Sequence, residues 1–122
     1  MSVAVKKILI ADDDPGIVDA VSMMLEMIGY DVNFTYDGGV VPAELEKTHI
    51  DLLLLDIWMS GHDGRDICRE LKSNISTKNI PVLMISASHD IKQSALDAGA
   101  DDFLEKPFEM NTMIDKVARL IG

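Results

Sequence analysis

The sequence predicts an α/β domain in which five parallel strands form one sheet covered by helices on both faces. Short runs that are apolar at every position alternate along the chain with segments of helical periodicity. Strands of that kind suit a parallel sheet, because such a sheet is usually buried on both faces. The alternation of strand and helix is repeated five times, which predicts a doubly wound sheet with right-handed crossovers.

The strands are predicted from five segments. The apolar runs are residues 8–11, 52–55, 82–85 and 103–104, and each is predicted as a buried strand. Residues 31–36 form a more mixed segment, which is predicted as a strand at or near an edge of the sheet. Because the carboxyl ends of parallel strands lie at one edge, a functional site is expected where these runs end.

The first and last helices are predicted from periodicity and from stop signals. Apolar residues within 17–28 follow the spacing of one helical face, after Pro15 in the first turn and before Gly29 as a stop. The same periodicity recurs over residues 110–121. Both segments are therefore predicted to pack one face against the sheet.

Three shorter helices are predicted between them, over residues 40–46, 65–71 and 91–98. In the first of these, Pro42 must lie in the first turn or kink the helix, because proline has no N–H to donate. The chain has eight methionines, and most fall on the predicted apolar faces. They are expected to fill the core, since methionine adapts to irregular gaps, and not to bind a metal.

Composition limits the classes of function. The 122 residues suit one domain over 1–122, and 48% hydrophobic residues with a mean hydropathy of +0.14 predict a folded chain. The net charge of −10 disfavours direct binding to nucleic acid, whose phosphates would be repelled. No apolar run suits a membrane span and no signal peptide is evident. The single cysteine, Cys68, is predicted as a packed thiol in a reducing cytoplasm.

Polar residues directly follow four of the predicted strands. They are Asp12, Asp13 and Asp14 after the first, Asp56 after the third, Ser86 after the fourth and Lys106 after the fifth. Any one of these could be structural, and Asp14 before Pro15 is predicted to cap the next helix. Together they suit phosphoryl chemistry, because they bring carboxylates, a hydroxyl and an ammonium to one edge of the sheet.

Electrostatics predict a metal ion at this edge. Two carboxylates about 4 Å apart repel each other by roughly 4 kcal/mol at an effective dielectric of about 20. The convergence of Asp12, Asp13 and Asp56 would therefore be strained without a cation, and Mg²⁺ prefers oxygen ligands of this kind. A carboxylate can itself act as a nucleophile in phosphoryl transfer, with Lys106 stabilising the added negative charge.

Segments along almost the whole chain resemble the receiver domain of response regulators, in the CheY-like superfamily of two-component signalling. The matching segments are residues 8–15, 55–60, 63–64, 85–87 and 98–108. The resemblance implies a flavodoxin-like fold and a phosphoacceptor switch. Two positions depart from the family pattern: Ser60 stands where proline is frequent, and Pro42 is unusual in the second helix.

The resemblance also implies roles for individual residues. Asp56 is implied as the phosphorylated residue. Asp13 would ligate Mg²⁺ directly, Asp12 would assist through water, and the backbone carbonyl of Trp58 would supply another ligand. Ser86 would hydrogen-bond the phosphoryl group, Lys106 would pair with it, and Phe103 would be the aromatic switch residue. The Lys106-Pro107 bond is expected to be cis.

The implied activity is a phosphorelay step and not turnover of a separate substrate. The phosphoryl group would come from a sensor histidine kinase, a phosphotransfer protein or a small acyl phosphate. The chain would catalyse only its own phosphorylation and dephosphorylation, and Trp58 and Ser88 are expected to make the latter slow. The output would be a changed surface for a downstream protein target, or a phosphorylation-dependent homodimer.

Two alternative functions fit the sequence less well. A phosphohydrolase with an aspartate nucleophile needs a second aspartate two residues further on, where this chain has Trp58. A receiver-like interaction module that takes no phosphate would not need the full set of Asp12, Asp13, Asp56, Ser86 and Lys106. The three histidines, His49, His62 and His89, do not have the spacing of metal ligands, and each is predicted as a surface or loop residue.

Overall fold

The main sheet contains five parallel strands in the part of the chain that the computed structural model describes, residues 4–59 and 61–121. The strands are β1 (Lys7–Ala11), β2 (Asp31–Thr35), β3 (Leu52–Asp56), β4 (Val82–Ser86) and β5 (Asp102–Glu105). Their order across the sheet is β2-β1-β3-β4-β5, and every pair is parallel. This is the flavodoxin-like strand order of doubly wound folds. The predicted fold class is confirmed.

Helices connect the strands on both faces of the sheet. They are α1 (Pro15–Met27), α2 (Val41–Lys47), α3 (Gly64–Ser73), α4 (Lys92–Asp97) and α5 (Met110–Ile121). Short 3₁₀ turns at Gly38–Val40 and His89–Ile91 lead into α2 and α4. Among the described residues, none of these helices has both the length and the apolar sequence that a bilayer span requires.

Alternate side chains of the apolar strands pack in two separate hydrophobic cores, one on each face of the sheet. In β3, Leu52 and Leu54 pack in the core beneath α1 and α5, whereas Leu53 and Leu55 pack beneath α2, α3 and α4. All four side chains are fully buried. This two-sided burial explains why the runs are apolar at every position, since consecutive side chains of a strand point to opposite faces.

The predicted edge strand and the proline-containing helix both form. β2 pairs only with β1, and its residues are half-buried or exposed, as expected of an edge strand. Pro42 lies in the first turn of α2, where its missing N–H leaves no intrahelical hydrogen bond unmade. Of the two predicted possibilities for Pro42, the first turn or a kink, the structure shows the first turn.

Three details differ from the sequence predictions. The methionine prediction is wrong for Met23 and Met27, whose exposed fractions are 60% and 75%. The predicted fourth helix begins as a 3₁₀ turn, so α4 itself is only six residues long. A short antiparallel pair, Trp58–Met59 with His62–Asp63, was not predicted, because two-residue strands carry no periodicity. Ser60, between them, lies outside the described residues.

Candidate phosphoacceptor site

The carboxyl edge of the sheet brings together residues from four strands. Asp12 follows β1, Asp56 ends β3, Ser86 ends β4 and Lys106 follows β5. The register places Asp56 opposite Ile85 in β4, one residue before Ser86. The parallel topology thus produces the convergence that the sequence predicted.

The turn after β1 is ordered by hydrogen bonds from the backbone to carboxylates. Asp12 Oδ1 accepts from the Asp14 N–H at 2.9 Å. Asp14 Oδ1 in turn accepts from the N–H groups of Gly16, at 2.9 Å, and Ile17, at 3.5 Å, and so caps α1. The predicted capping role of Asp14 is confirmed. Asp13, between them, is exposed.

The segment after β3 is held against the start of α3 by close backbone packing. The Gly64 N–H donates to the Ile57 carbonyl oxygen at 2.7 Å. A Cβ on Gly64 would lie 2.7 Å from the backbone oxygen of Asp56, which is closer than real Cβ contacts allow. Because Gly64 has no Cβ, α3 can pack directly against the backbone of Asp56.

Two buried carboxylates share one ammonium group. Lys106 Nζ lies 3.0 Å from Asp12 Oδ2 and 3.6 Å from Asp56 Oδ2. Asp12 is fully buried and Asp56 is 7% exposed. Burial, with Asp12 adding repulsion, raises the pKa of Asp56 to about 6, although Lys106 and a hydrogen bond from the Trp58 N–H oppose the increase. Lys106 thus only partly compensates the negative charge.

The donor set fits a hard divalent cation. One carboxylate oxygen from each of Asp12, Asp13 and Asp56 lies within 4.8 Å of the others. Octahedral ligands at about 2.1 Å from Mg²⁺ are roughly 3–4 Å apart, so a small contraction would suffice. Asp12 Oδ2 is buried and, among the described residues, accepts no hydrogen bond, since its contact with Lys106 lacks hydrogen-bond geometry. Although the Lys106 ammonium lies beside it, this buried oxygen therefore keeps an acceptor site that a metal ion can occupy.

An open cavity of about 540 Å³ adjoins Asp56. Its lining residues are Asp56, Trp58, Ser86, Ala87, Ser88, Asp90 and Lys106. Ser86 Oγ is buried and accepts a hydrogen bond from the Ser88 N–H at 3.1 Å. The cavity is large enough for a phosphoryl group and is bordered by both the predicted hydroxyl and the predicted ammonium.

Other predicted residues lie outside the carboxylate cluster, and some of them are far from it. Phe103 is 6% exposed and packs in the core beneath α4, and the Lys106-Pro107 peptide bond is cis, as expected. Cys68 is fully buried, and burial raises the pKa of its thiol to about 11, as expected of a packed thiol. His49 and His62 are exposed beside Asp51 and Asp37, whereas the His89 side chain lies outside the description.

Two residues near the site were missed by sequence reasoning. Asp90 lines the cavity and accepts a hydrogen bond from the Ser88 hydroxyl. Arg65 pairs with Asp63 and places its guanidinium 5.4 Å from the ring centre of Trp58. Neither has a local signal, because exposed charged residues in loops and helix starts are common without any function.

Comparison with known proteins agrees with this geometry. Residues 8–118 match the family model of the response regulator receiver domain. The DNA-binding dual master transcriptional regulator RpaA of Synechocystis is 43% identical over 117 residues, covering 94% of this chain and 48% of that protein. The chain thus spans about half the length of this curated relative.

Solved structures show the same fold. The chemotaxis protein CheY4 of Vibrio cholerae superposes with a TM-score of 0.87 at 29% identity, covering 96% of this chain and 99% of that one. The response regulator TrrA of Thermotoga maritima, solved in complex with Mg²⁺-BeF, has a TM-score of 0.85 at 26% identity, covering 94% and 98%. The chain belongs to the response regulator receiver domain family and is a phosphoacceptor domain of two-component signalling.

Proposed function

We propose that this receiver takes its phosphoryl group on Asp56. The observation that carries the proposal is the position of the Asp56 carboxylate, which borders the open cavity and lies 3.6 Å from Lys106 Nζ. Asp12 is also close to Lys106, but it is fully buried and does not line the cavity. Of the two carboxylates beside Lys106, Asp56 is therefore the one that an incoming phosphorus atom can reach.

The transfer exchanges one bond to phosphorus for another. A carboxylate oxygen of Asp56 bonds to phosphorus while the P–N bond of a phosphohistidine, or the P–O bond of a small acyl phosphate, breaks. The leaving imidazole or carboxylate retains the electron pair of the broken bond. Lys106 and the Ser86 hydroxyl, both on the cavity wall, donate hydrogen bonds to the phosphoryl oxygens as negative charge accumulates there.

Asp12, Asp13 and Asp56 would hold Mg²⁺, with the backbone carbonyl of Trp58 as a further ligand. The close approach of the three carboxylates supports this set. A bound Mg²⁺ supplies positive charge beside the transferred phosphoryl group. Asp56 needs to be ionised to act as a nucleophile, and the raised pKa means that protonation competes with both roles at mildly acidic pH.

The wider assignments follow from the receiver identity. We propose residues 1–122 as a single receiver domain that works in the cytoplasm and catalyses only its own phosphorylation and dephosphorylation. Its partners are a sensor histidine kinase or phosphotransfer protein and a downstream protein, with a phosphorylation-dependent homodimer as another form of output. The net charge of −10 supports signalling through protein contacts and not through direct binding of this chain to nucleic acid.

Intact-mass analysis after treatment with acetyl phosphate and Mg²⁺ tests the proposal. One phosphoryl group is expected on the wild-type chain and none on Asp56→Ala. Asp97→Ala, which changes an exposed aspartate on α4, is the matched control and should be phosphorylated normally. A chelator should prevent labelling. Labelling that persists in Asp56→Ala would exclude Asp56 as the acceptor, and a wild-type chain that never labels would favour a receiver-like interaction module.

A further inference from the structure

The flank formed by α1, β2 and α2 carries acidic residues without basic neighbours in sequence. From Ile8 to Glu46 every charged residue is acidic, and there is no lysine, arginine or histidine. On α1, the side chains of Asp19 and Glu26 form no ion pair or hydrogen bond with other described residues. Nine of the 21 acidic residues therefore fall in this segment, which contributes no basic residue of its own.

A groove of about 600 Å³ lies on this flank between α1 and β2. Its apolar lining includes Met23, Met27 and Phe34, whose exposed fractions are 60%, 75% and 52%. Asp19 and Glu26 line the same groove. An apolar groove of this kind on an edge strand, with two flexible methionines, is typical of surfaces that bind a partner.

The charges identify the kind of partner. A second copy of this chain would bring another net charge of −10, which opposes self-association. Asp19 and Glu26 are seven residues apart, which on a helix is about 10 Å along the axis. This spacing matches two basic residues separated by two turns on a partner helix. We propose that the groove binds a cationic amphipathic helix of another protein.

In this arrangement, apolar side chains of the partner helix insert among Met23, Met27 and Phe34, and lysine or arginine side chains pair with Asp19 and Glu26. The groove is lined by residues from the middle and end of α1, whereas the phosphoacceptor edge lies before its first residue, Pro15. Binding therefore leaves the cavity beside Asp56 accessible.

A fluorescently labelled model helix of leucine, alanine and lysine, with leucines along one face, tests the groove. Asp19→Asn with Glu26→Gln should weaken binding by about tenfold, as expected for two lost charge pairs. Glu70→Gln with Asp115→Asn removes the same charge from α3 and α5 and should change affinity less than twofold. Met27→Ser should still weaken binding at high salt, where the charges are screened.

Three outcomes would overturn the proposal. The first is that the model helix does not bind the wild-type chain at low salt. The second is that the double variant of Glu70 and Asp115 weakens binding as much as the double variant of Asp19 and Glu26, which would indicate attraction by net charge alone. The third is sedimentation of the free chain as a dimer that Met27→Ser dissociates, which would make the groove a self-interface. Amide chemical shifts that move along residues 18–34 would support the groove directly.

A second inference comes from a separate set of contacts, around Arg65. Its guanidinium binds Asp63 through Nε, at 3.0 and 3.2 Å, and through Nη2, at 2.7 Å. Nη1 donates to Ser94 Oγ at 3.1 Å, and this hydroxyl donates to the Ile91 carbonyl oxygen. The guanidinium also lies 5.4 Å from the ring centre of Trp58, within cation–π range.

The contact with Arg65 is the one that the structure shows for the Trp58 ring among the described residues. The residue is 59% exposed, so core packing does not hold it, yet it lines the cavity beside Asp56. Arg65 is itself fixed by the two-point pairing with Asp63, which limits the positions of a stacked indole. Through its hydrogen bond to Ser94, the Arg65 guanidinium also links the start of α3 to α4.

We infer that Arg65 is a positioning residue that keeps the Trp58 indole at the mouth of the phosphoryl cavity. This inference rests on the proposed phosphorylation of Asp56. During hydrolysis a water oxygen bonds to phosphorus, the P–O bond to Asp56 breaks, and inorganic phosphate and the carboxylate separate. An indole held at the mouth excludes water, and so Arg65 prolongs the phosphorylated state by acting through Trp58.

The test follows loss of the phosphoryl group by intact mass after acetyl phosphate is removed. Arg65→Met should lose it about fivefold faster, since the indole no longer excludes water. Trp58→Ala should have a similar effect, and the double variant should be no faster than either single variant. Arg69→Met, on the exposed side of α3, is the matched control and should decay as the wild type does.

Trp58 is the single tryptophan, so its fluorescence gives a readout that a general loss of stability would not mimic. Acrylamide should quench it more in Arg65→Met than in Arg69→Met, with melting temperatures alike. A phosphorylated Arg65→Met that decays at the wild-type rate, or additive effects in the double variant, would overturn the inference. A wild-type chain that is not labelled at all would instead contradict the phosphorylation proposal.

Discussion

At the scale of single residues, the buried carboxylates at the sheet edge are the feature with the clearest effect on stability. Asp12 and Asp56 are both nearly inaccessible, and one ammonium, from Lys106, lies between them. Burial of like charges without full compensation destabilises a folded chain. The buried carboxylates therefore lower the free energy of unfolding of the metal-free protein, and this effect can be measured.

Asp56→Asn is expected to stabilise the metal-free protein at neutral pH. The folded chain raises the pKa of Asp56 from 3.8 to about 6, so the protonated form suits the fold better. Below about pH 4 the group is protonated in both states and costs nothing. As the pH rises through about 6 the penalty becomes complete, at roughly 1–3 kcal/mol.

Urea unfolding in a chelator, at pH 4.5 and pH 7.5, measures this effect. The gain in free energy of unfolding from Asp56→Asn should be large at pH 7.5 and small at pH 4.5. Asp97→Asn, at an exposed position, should show no such dependence. An Asp56→Asn gain that is equal at both pH values would show that burial of the charge is not its cause.

Asp13→Ala should weaken Mg²⁺ binding more than Asp14→Ala does. Asp13 contributes an oxygen to the carboxylate cluster, whereas Asp14 caps α1 through hydrogen bonds to the backbone. Loss of a ligand should raise the dissociation constant at least about tenfold, and loss of the cap should cost about 1 kcal/mol of stability. Titration of Trp58 fluorescence reports binding. Equal effects on affinity would mean that Asp14 also contributes to the metal site.

At the scale of elements, the site depends on how closely α3 approaches β3. The helix begins at Gly64, whose N–H bonds to the Ile57 carbonyl oxygen, and the backbone of Asp56 lies against it. The same helix carries Arg65, which reaches α4 through Ser94. The start of α3 thus positions the phosphoacceptor segment from one side.

Gly64→Ala should therefore damage both stability and phosphorylation. Its Cβ would be 2.7 Å from a backbone oxygen that cannot rotate away, so the strand end or the helix must shift, at about 1–3 kcal/mol. Gly16→Ala is the control, because its Cβ would meet only the Asp14 side chain, at 3.3 Å. Melting temperature and the rate of labelling by acetyl phosphate measure the two effects. Similar behaviour of the two variants would contradict the packing argument.

At the scale of the whole molecule, a phosphoryl group beside Asp56 can affect α4 through Ser86. The Ser86 hydroxyl accepts a hydrogen bond from the Ser88 N–H, and Ser88 precedes the 3₁₀ turn that leads into α4. A phosphoryl group that attracts the Ser86 hydroxyl would compete with this bond. Phe103 packs beneath α4 and is already buried, so its ring has little further to move inward.

Beryllofluoride, which mimics the phosphoryl group, is therefore expected to shift amide resonances along residues 86–103. The largest changes should lie in the turn after Ser86 and in α4, because the hydrogen bond to Ser88 is the direct link. Ser86→Ala should reduce these changes while leaving those beside Asp56. Shifts confined to the surroundings of Asp56 in the wild type would mean that this face is not the output surface.

The sequence by itself determined the parallel, doubly wound class of the fold and the identity of the clustered residues. Runs apolar at every position predicted a two-sided sheet, and parallel strands necessarily bring Asp12, Asp56 and Lys106 to one edge. Capping by Asp14 was also predictable, since a cap depends on residues that are neighbours in sequence. These features arise from local patterns and from one topological rule.

Only the tertiary structure decided which side chains are buried, paired or left exposed. Met23 and Met27 lie within the predicted helix, but they are exposed in the groove between α1 and the edge strand β2. The bridge from Arg65 to Ser94 joins residues that are 29 positions apart, and no periodicity encodes such a contact. The raised pKa of Asp56 likewise depends on burial beside Asp12, which is a property of the packed chain and not of either sequence segment.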